Sequence, residues 1–429
     1  MTKHSTKFRS SQVLNVAQAA HVEVPLPLLG VLEDVEHAFF GLCIDAGKQV
    51  LSAMMEHDRT ALCGLPWKPD PESTVRRAGS TESPITLGGR RISIARPRAR
   101  TRDGQEVSLP SYEAASDRDP LDRQTLASMA AGVSTRRYAG TLDRLPQDER
   151  ERATSKSAMS RRFAALTEQK LGEWLSQPLD ELDLKVVMLD GIHFADHCIL
   201  VALGIDSGGY KHPLGIVEGS TENTTVVKAL LTDLIDRGLP ADRALFFVID
   251  GAKALRKAIR DLFGPLAKVQ RCPVHKLKNV IDHLPKSKQA GVKRVLEDAW
   301  NAKSAKTARR QLERLARSLE TEHPGAAESI REGLDETLTL LEMKIPQRLR
   351  TSLRSTNAIE SVNDKIKSYA RRVKRWRGGK MILRWTGAAI LDAQKGFRRV
   401  KGYREIPHLV RALRQHEEDL GVHINEKAA

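Results

Sequence analysis

The stretch LKVVMLDGIHFADHCILVALGIDSGGYKHPLGIVEG, residues 184–219, decides the fold. LKVVMLDG (184–191) is an apolar run closing on Asp-Gly, HCILVALGIDSGG (197–209) a second run closing on a glycine turn, and PLGIVEG (213–219) a third. Runs this short, bounded by turn residues, predict strands. Joined by short turns, the three must pair antiparallel. Downstream, TTVVKALLTDLIDRGL places Val227, Leu230, Leu231, Leu234 and Ile235 on one side of a helix. ALFFVIDG (244–251) is a fourth strand, again ending in Asp-Gly, AKALRKAIRDLFG a helix, and AKVQRC (267–272) a fifth strand. Strands separated by helices add in parallel. The fold class is therefore α/β, with a mixed five-stranded sheet in the order β-β-β-α-β-α-β.

Around this block the pattern is mostly helical. From His275 to Lys344 the residues predict helices, a helical insertion at about 276–344 in an α/β domain spanning 180–404, with 405–429 as a C-terminal tail. Residues 1–75 read as a helical region without a legible role. Residues 84–110 alternate Ile92 and Ile94 with arginines, with Gly88-Gly89 and Asp103-Gly104 as turn signals, which predicts a basic β-hairpin. That hairpin suits a phosphate backbone or is simply a soluble module. Leu126, Met129, Ala130 and Val133 then mark one helix, and a second, carrying Arg161 and Arg162, starts at Ser155 or Ser157. The pair suggests a helix-turn-helix reader within a 76–175 DNA-binding region. The segment between, 141–153, is longer than the tight turn of that motif, and a plain helical bundle fits as well.

Charge narrows the partners. The chain of 429 residues carries 70 Lys+Arg against 54 Asp+Glu, a net +16, and Lys344–Arg404 alone holds 18 against 3. Such a field favours a polyanion, nucleic acid being the commonest large one; a solvated basic face is the plain alternative. The four cysteines are too few and scattered for a disulfide framework and suit a reducing cytosol. MTKHSTKFRS lacks the apolar core of a signal peptide, and no apolar run is long enough to span a bilayer. The expectation is a cytoplasmic protein, nucleoid-associated when bound to DNA.

Asp190 and Asp250 each sit where an apolar strand is predicted to end, each followed by glycine, and such strand ends line the ligand crevice of α/β sheets. A glycine there leaves room for backbone, metal or phosphate. Alone, an Asp-Gly pair is an ordinary turn. RSTNAIESVNDKIK (354–367) supplies a third carboxylate, Glu360. Asn357-x-x-Glu360 fits a capping box with Asn357 as N-cap, and Ile359, Val362, Ile366 and Val373 form an apolar stripe. Two strand-end carboxylates and one from a helix make a hard oxygen site suited to Mg²⁺ or Mn²⁺.

Four patches, LDGIH, VIDGAKAL, QRCPVHKLKNV and STNAIESVNDKIK, together resemble the bacterial Mutator-like insertion-sequence transposases. The resemblance is close over 180–290 and 345–400 and looser upstream. It implies a DDE transposase with an RNase H-like catalytic domain and a helical insertion before the final Glu. Asp190, Asp250 and Glu360 would be catalytic and would hold two Mg²⁺ (or Mn²⁺) ions; Cys272, His275 and Asn357 would be signature residues. Gly191 and Ile249 stand where members often carry Ala and Ser. DNA ends and target DNA are the implied substrates, with a homodimer or higher oligomer pairing the ends. The alternatives are an RNase H-like nuclease that does not join strands, or a non-catalytic transposase-derived DNA-binding protein.

The remaining residues fall into place around that reading. Arg354, Lys365, Arg371, Arg372, Lys374, Arg375 and Arg377, with Arg161 and Arg162 upstream, are the candidate DNA-contact cations. Cys272-x-x-His275 supplies two ligands where structural zinc wants four, which favours packing and orientation beneath the site. His193 is a plain surface imidazole or a neighbour of phosphate. Trp300 belongs to the core of the insertion. Tyr210, Tyr369 and Tyr403 serve packing or DNA contact, since no covalent intermediate is required.

Overall fold

A computed structural model describes residues 35–70, 73–87, 90–117, 156–194, 196–219, 223–371, 373 and 375–422. The predicted helices within 1–34, the first helix of the helix-turn-helix reading within 118–155, Arg372, Lys374 and residues 423–429 lie outside them. The chain forms two compact units divided between Phe163 and Ala164.

In the first unit α1 (Val35–Cys63) leads into a minimal strand pair, β1 (Gly64–Leu65) and β2 (Lys68–Pro69). An antiparallel sheet follows of β3 (Val75–Leu87), β4 (Arg90–Thr101) and β5 (Glu106–Val107), then α2 (Pro110–Asp117). The basic hairpin is present and starts at Val75, ahead of the predicted residue 84. Its alternation buries Ile85, Leu87, Ile92 and Ile94 against Ile44, Leu51 and Met55 of α1. Part of its positive charge is neutralised internally: Arg77 pairs with Glu56, and Arg96 and Arg98 pair with Glu106.

Helix α3 (Lys156–Leu175) crosses into the second unit, close to the predicted start. The sheet there has β6 (Leu184–Phe194), β7 (His197–Asp206), β8 (Lys211–Gly219), β9 (Leu245–Ile249) and β10 (Ala267–Arg271), in the spatial order β10-β9-β6-β7-β8. The meander β6-β7-β8 is antiparallel, and β9 and β10 add in parallel beyond β6. Connecting helices α4 (Thr224–Asp236) and α5 (Lys253–Phe263) cover one face, where Val187, Leu189, Phe247 and Ile249 point. The other face, with Val186, Met188, Ile192, Phe246 and Val248, is covered by α11 (Gln347–Leu353), α12 (Asn357–Ala370), α13 (Gly379–Gln394) and α14 (Ile406–Asp419). The predicted C-terminal tail is thus corrected: α14 buries Ile406, Leu409 and Leu413 in that core.

The insertion comprises α6 (Pro273–Ile281), α7 (Lys286–Trp300), α8 (Ala305–Leu319), α9 (Pro324–Arg331) and α10 (Leu334–Glu342), with its own apolar centre. Trp300 lies in that centre, its Nε1 donating to Thr337 Oγ1 at 3.2 Å. No described helix is long and apolar enough to cross a membrane.

Candidate active site

The sheet register assembles the site. Leu189 of β6 pairs with Ile249 of β9, and Ile249 with Arg271 of β10. One residue beyond this row lie Asp190, Asp250 and Cys272, side by side where the parallel pairing stops. Asp190 is not at its strand's end, as expected from the sequence: β6 continues to Phe194 by pairing with β7 alone. Alternation turns Asp190 toward the same face as Met188 and Ile192, under α12. Asp250 closes a tight turn by accepting from Ala252 N at 2.9 Å.

Helix α12 buries Ile359, Val362 and Ile366 on the sheet, while Val373 falls beyond its end. This fixes the opposite edge of its stripe over Asp190. Asn363 Nδ2 donates to Asp190 Oδ2 at 2.6 Å. Glu360 stands three residues earlier, on the adjoining turn of the same face. Burial raises the Asp190 carboxyl to about 6, helped by the negative charges of Asp250 and Glu360. The three predicted acids therefore share one electrostatic neighbourhood.

The expected capping box is not formed. Thr356, fully buried, is the N-cap, and Asn357 is an exposed first-turn residue. The Thr356 carbonyl accepts from Glu360 N at 2.9 Å, but its hydroxyl caps no backbone group. Instead the hydroxyl lies 2.5 Å from Glu360 Oε1 and 3.4 Å from both Cys272 Sγ and His275 Nδ1. Pro273 opens α6 just after Cys272, a position whose missing N–H costs nothing, and so presents His275 on the first turn. Burial pushes the Cys272 thiol up, but opposing hydrogen bonding, that of His275 foremost, brings it below the ordinary range. The hydrogen bond with Cys272 raises His275 to about 9 against burial, with Asp250 and Glu360 adding to the effect.

Among the described residues, one donor set is gathered closely enough to share an ion. Cys272, His275 and Glu360 offer ligand atoms within 4.8 Å of one another. Thr356 Oγ1 lies within 3.4 Å of all three ligand atoms, so hydrogen bonds already link this set. Asp190, Asp250 and Glu360 form the harder, all-oxygen set, although their oxygens are not gathered that closely. Repulsion among Asp190, Asp250 and Glu360 is what a divalent ion relieves, and Asn363 Oδ1 is buried beside them with no partner.

Gly251 has another role than the sequence implied. Its φ is +111°, and the space a Cβ would take is filled by the Arg271 guanidinium, which reaches on to Glu332 of the insertion. Thr356, Asn363 and Arg271 lie in the patches that carry the family resemblance, but the sequence reading gave none of them a role in the site. Thr356 was visible as the first residue of a Thr-Asn-x-x-Glu box, and Asn363 as a polar residue on the apolar side of a helix three positions after Glu360.

Among the cations, Lys365, Arg371, Arg375, Arg377 and Arg161 are exposed, and Arg354 donates to Asn301 Oδ1 at 2.7 Å. Trp376 packs on Phe194 with ring centroids 5.5 Å apart, which pins the basic segment after α12 beside the end of β6. His193 is exposed. Tyr369 bonds Asp392, and Tyr403 and the exposed Tyr210 stack on Arg399 at 4.8 and 4.0 Å.

A mixed α/β protein with an acidic corner at its parallel strand ends, and a basic segment tethered beside it, is the class so defined. The family model "Transposase, Mutator family" matches residues 34–400, and the chain belongs to that family. It is 26% identical over 283 residues to the transposase for insertion sequence element IS905 of Lactococcus lactis, covering 64% of this chain and 69% of that one. It is 32% identical over 193 residues to the transposase for IS6120 of Mycolicibacterium smegmatis, covering 43% and 58%. With the transposase for ISRM3 of Rhizobium meliloti it shares 26% over 316 residues, covering 71% and 74%.

Proposed function

We propose that this chain is a DDE transposase with an RNase H-like catalytic domain, which cleaves DNA at insertion-sequence ends and joins those ends to target DNA. The observation that carries the reading is the juxtaposition of Asp190 and Asp250 beyond one register row, with the Glu360 face of α12 bonded down onto Asp190 through Asn363.

Asp190, Asp250 and Glu360 would hold the divalent ions, Mg²⁺ or Mn²⁺, whose chemistry is to lower the pKa of an attacking water or 3′-hydroxyl and to stabilise the leaving oxygen. Asn363 fixes the rotamer of Asp190. Asp250 is held by its own turn, and Glu360 by Thr356. Arg371, Arg375 and Arg377 offset the repulsion between phosphates and the acidic corner, positioning DNA without reading sequence. No side-chain nucleophile is needed, and the acid that titrates abnormally is a ligand rather than a general base. Assembly of two or more chains would bring two ends together.

The test uses Asp190→Asn with a labelled element end. Cleavage should fall at least about 1000-fold while DNA affinity stays within about 3-fold, since the lost group acts on transition-state charge. Unchanged cleavage would refute the assignment. Pre-cut ends offered with target DNA separate the transposase from a nuclease, because only the former yields joined products.

A further inference from the structure

We infer that Thr356 is a positioning residue whose hydroxyl, braced by Cys272 and His275, orders the Glu360 carboxylate beside the acidic corner before ion or DNA arrives. The inference rests on the proposed role of Glu360 and names what sets that side chain.

Thr356 is fully buried, and its oxygen lies at the meeting point of Cys272 Sγ, His275 Nδ1 and Glu360 Oε1. A hydroxyl has one proton. The partner at 2.5 Å is a carboxylate oxygen, whereas the other two stand at 3.4 Å, so the proton goes to Glu360. The hydroxyl's lone pairs then face the sulfur and the imidazole nitrogen, and His275 Nδ1–H is the donor they can accept. Direction thus runs from α6 to Thr356 to Glu360. Both ends of the relay are anchored: Cys272 N donates to Ile249 O at 2.8 Å at the end of β9, and the Thr356 carbonyl begins α12.

A free glutamate has three rotatable side-chain bonds, and ordering it costs conformational entropy at the moment of binding. Fixing Oε1 in advance moves that cost into folding. The same geometry gives the Cys-x-x-His pair a role that needs no zinc ion, since both side chains stand 3.4 Å from the threonine oxygen. Outer partners of ligating carboxylates typically contribute 10–100-fold in metal affinity.

The experiment titrates Mn²⁺ into the full chain without DNA, reading free Mn²⁺ by electron paramagnetic resonance. Wild type is compared with Thr356→Val, Thr356→Ala, Thr356→Ser and Glu360→Gln. Valine keeps the shape and removes the hydroxyl; alanine does so without risk of a clash if valine fails to fold. Both should weaken Mn²⁺ binding about 10-fold, and serine should restore it to within about 2-fold. Wild-type affinity in the valine and alanine variants overturns the inference, as does a serine variant as weak as valine, which would mark a packing effect. Stoichiometric Zn²⁺ binding abolished by Cys272→Ala also overturns it. Wild-type Mn²⁺ binding by Glu360→Gln overturns the functional reading itself, and so is distinguishable from failure of Thr356 alone.

Discussion

Asp190 is the residue on which the fold places the greatest electrostatic burden. Its carboxyl titrates near 6 in the folded chain, against 3.8 ordinarily, chiefly because it is buried and next because Asp250 and Glu360 repel its charge. Between those values the folded form keeps a proton that the unfolded chain has lost. Stability therefore falls as pH rises through this window, and the full cost is present above about 6. Asp190→Asn removes the charge and keeps an oxygen for Asn363 Nδ2. At pH 7.5 in chelator the variant should be about 2 kcal/mol more stable than wild type, a rise of several degrees in thermal midpoint. At pH 4 the difference should nearly vanish. Saturating Mn²⁺ should reverse it, because only the wild type gains from the ion. Thermal scans at the two pH values with and without Mn²⁺ check all three arms, and an asparagine variant no more stable at pH 7.5 would contradict the burial argument.

At the scale of elements, β10 shows how the helical insertion is held. Gln270 is buried; its Nε2 donates to the Arg271 and Thr337 carbonyls at 2.9 and 3.0 Å, and its Oε1 accepts from Leu340 N at 3.1 Å. Thr339 Oγ1 adds a bond to Val269 O at 2.6 Å, so α10 satisfies the open edge of the sheet much as a strand would. Gln270→Leu fits the space but removes the side-chain bonds to three backbone groups, and should cost about 2–4 kcal/mol. Hydrogen exchange of Leu334–Glu342 should quicken more than that of β6–β8, whereas a uniform change would argue against a local clamp. Elements such as these were legible in unequal measure. The five strands declared themselves because each is a short apolar run between turn residues. Gln270 and Arg271 gave no signal, since a polar residue ending a strand reads as surface until its tertiary partner is known. The threonine N-cap was missed because Asn357 satisfied the same local pattern one position on. Helix α14 was missed because IPHLVRALRQHEED is short and polar in its second half; Ile406, Leu409 and Leu413 are buried in the core, and the buried Glu417 accepts from Ala244 N at 2.6 Å.

Across the whole molecule, the sign of the charge was readable but its placement was not. A net +16 says that a polyanion is attracted; it does not say where. In the hairpin unit several arginines are matched by Glu56 and Glu106, which lowers that unit's claim to be the main electrostatic footprint. The segment after α12 is different. Trp376 packs on Phe194, four residues past Asp190, and Gly379 comes so close to Glu218 that a Cβ would collide with its carboxylate. Exposed Arg375 and Arg377 are thereby tethered next to an acidic corner that would otherwise repel phosphate. If both contact the backbone, Arg375→Ala with Arg377→Ala should lower the slope of log affinity against log salt by about 2, and weaken binding most at low ionic strength. The loss should be equal for element-end and unrelated duplexes, because phosphate contacts carry no sequence. Fluorescence anisotropy over a salt series measures both quantities. An unchanged slope would place the phosphate contacts elsewhere, whereas a loss confined to element ends would make these arginines base readers.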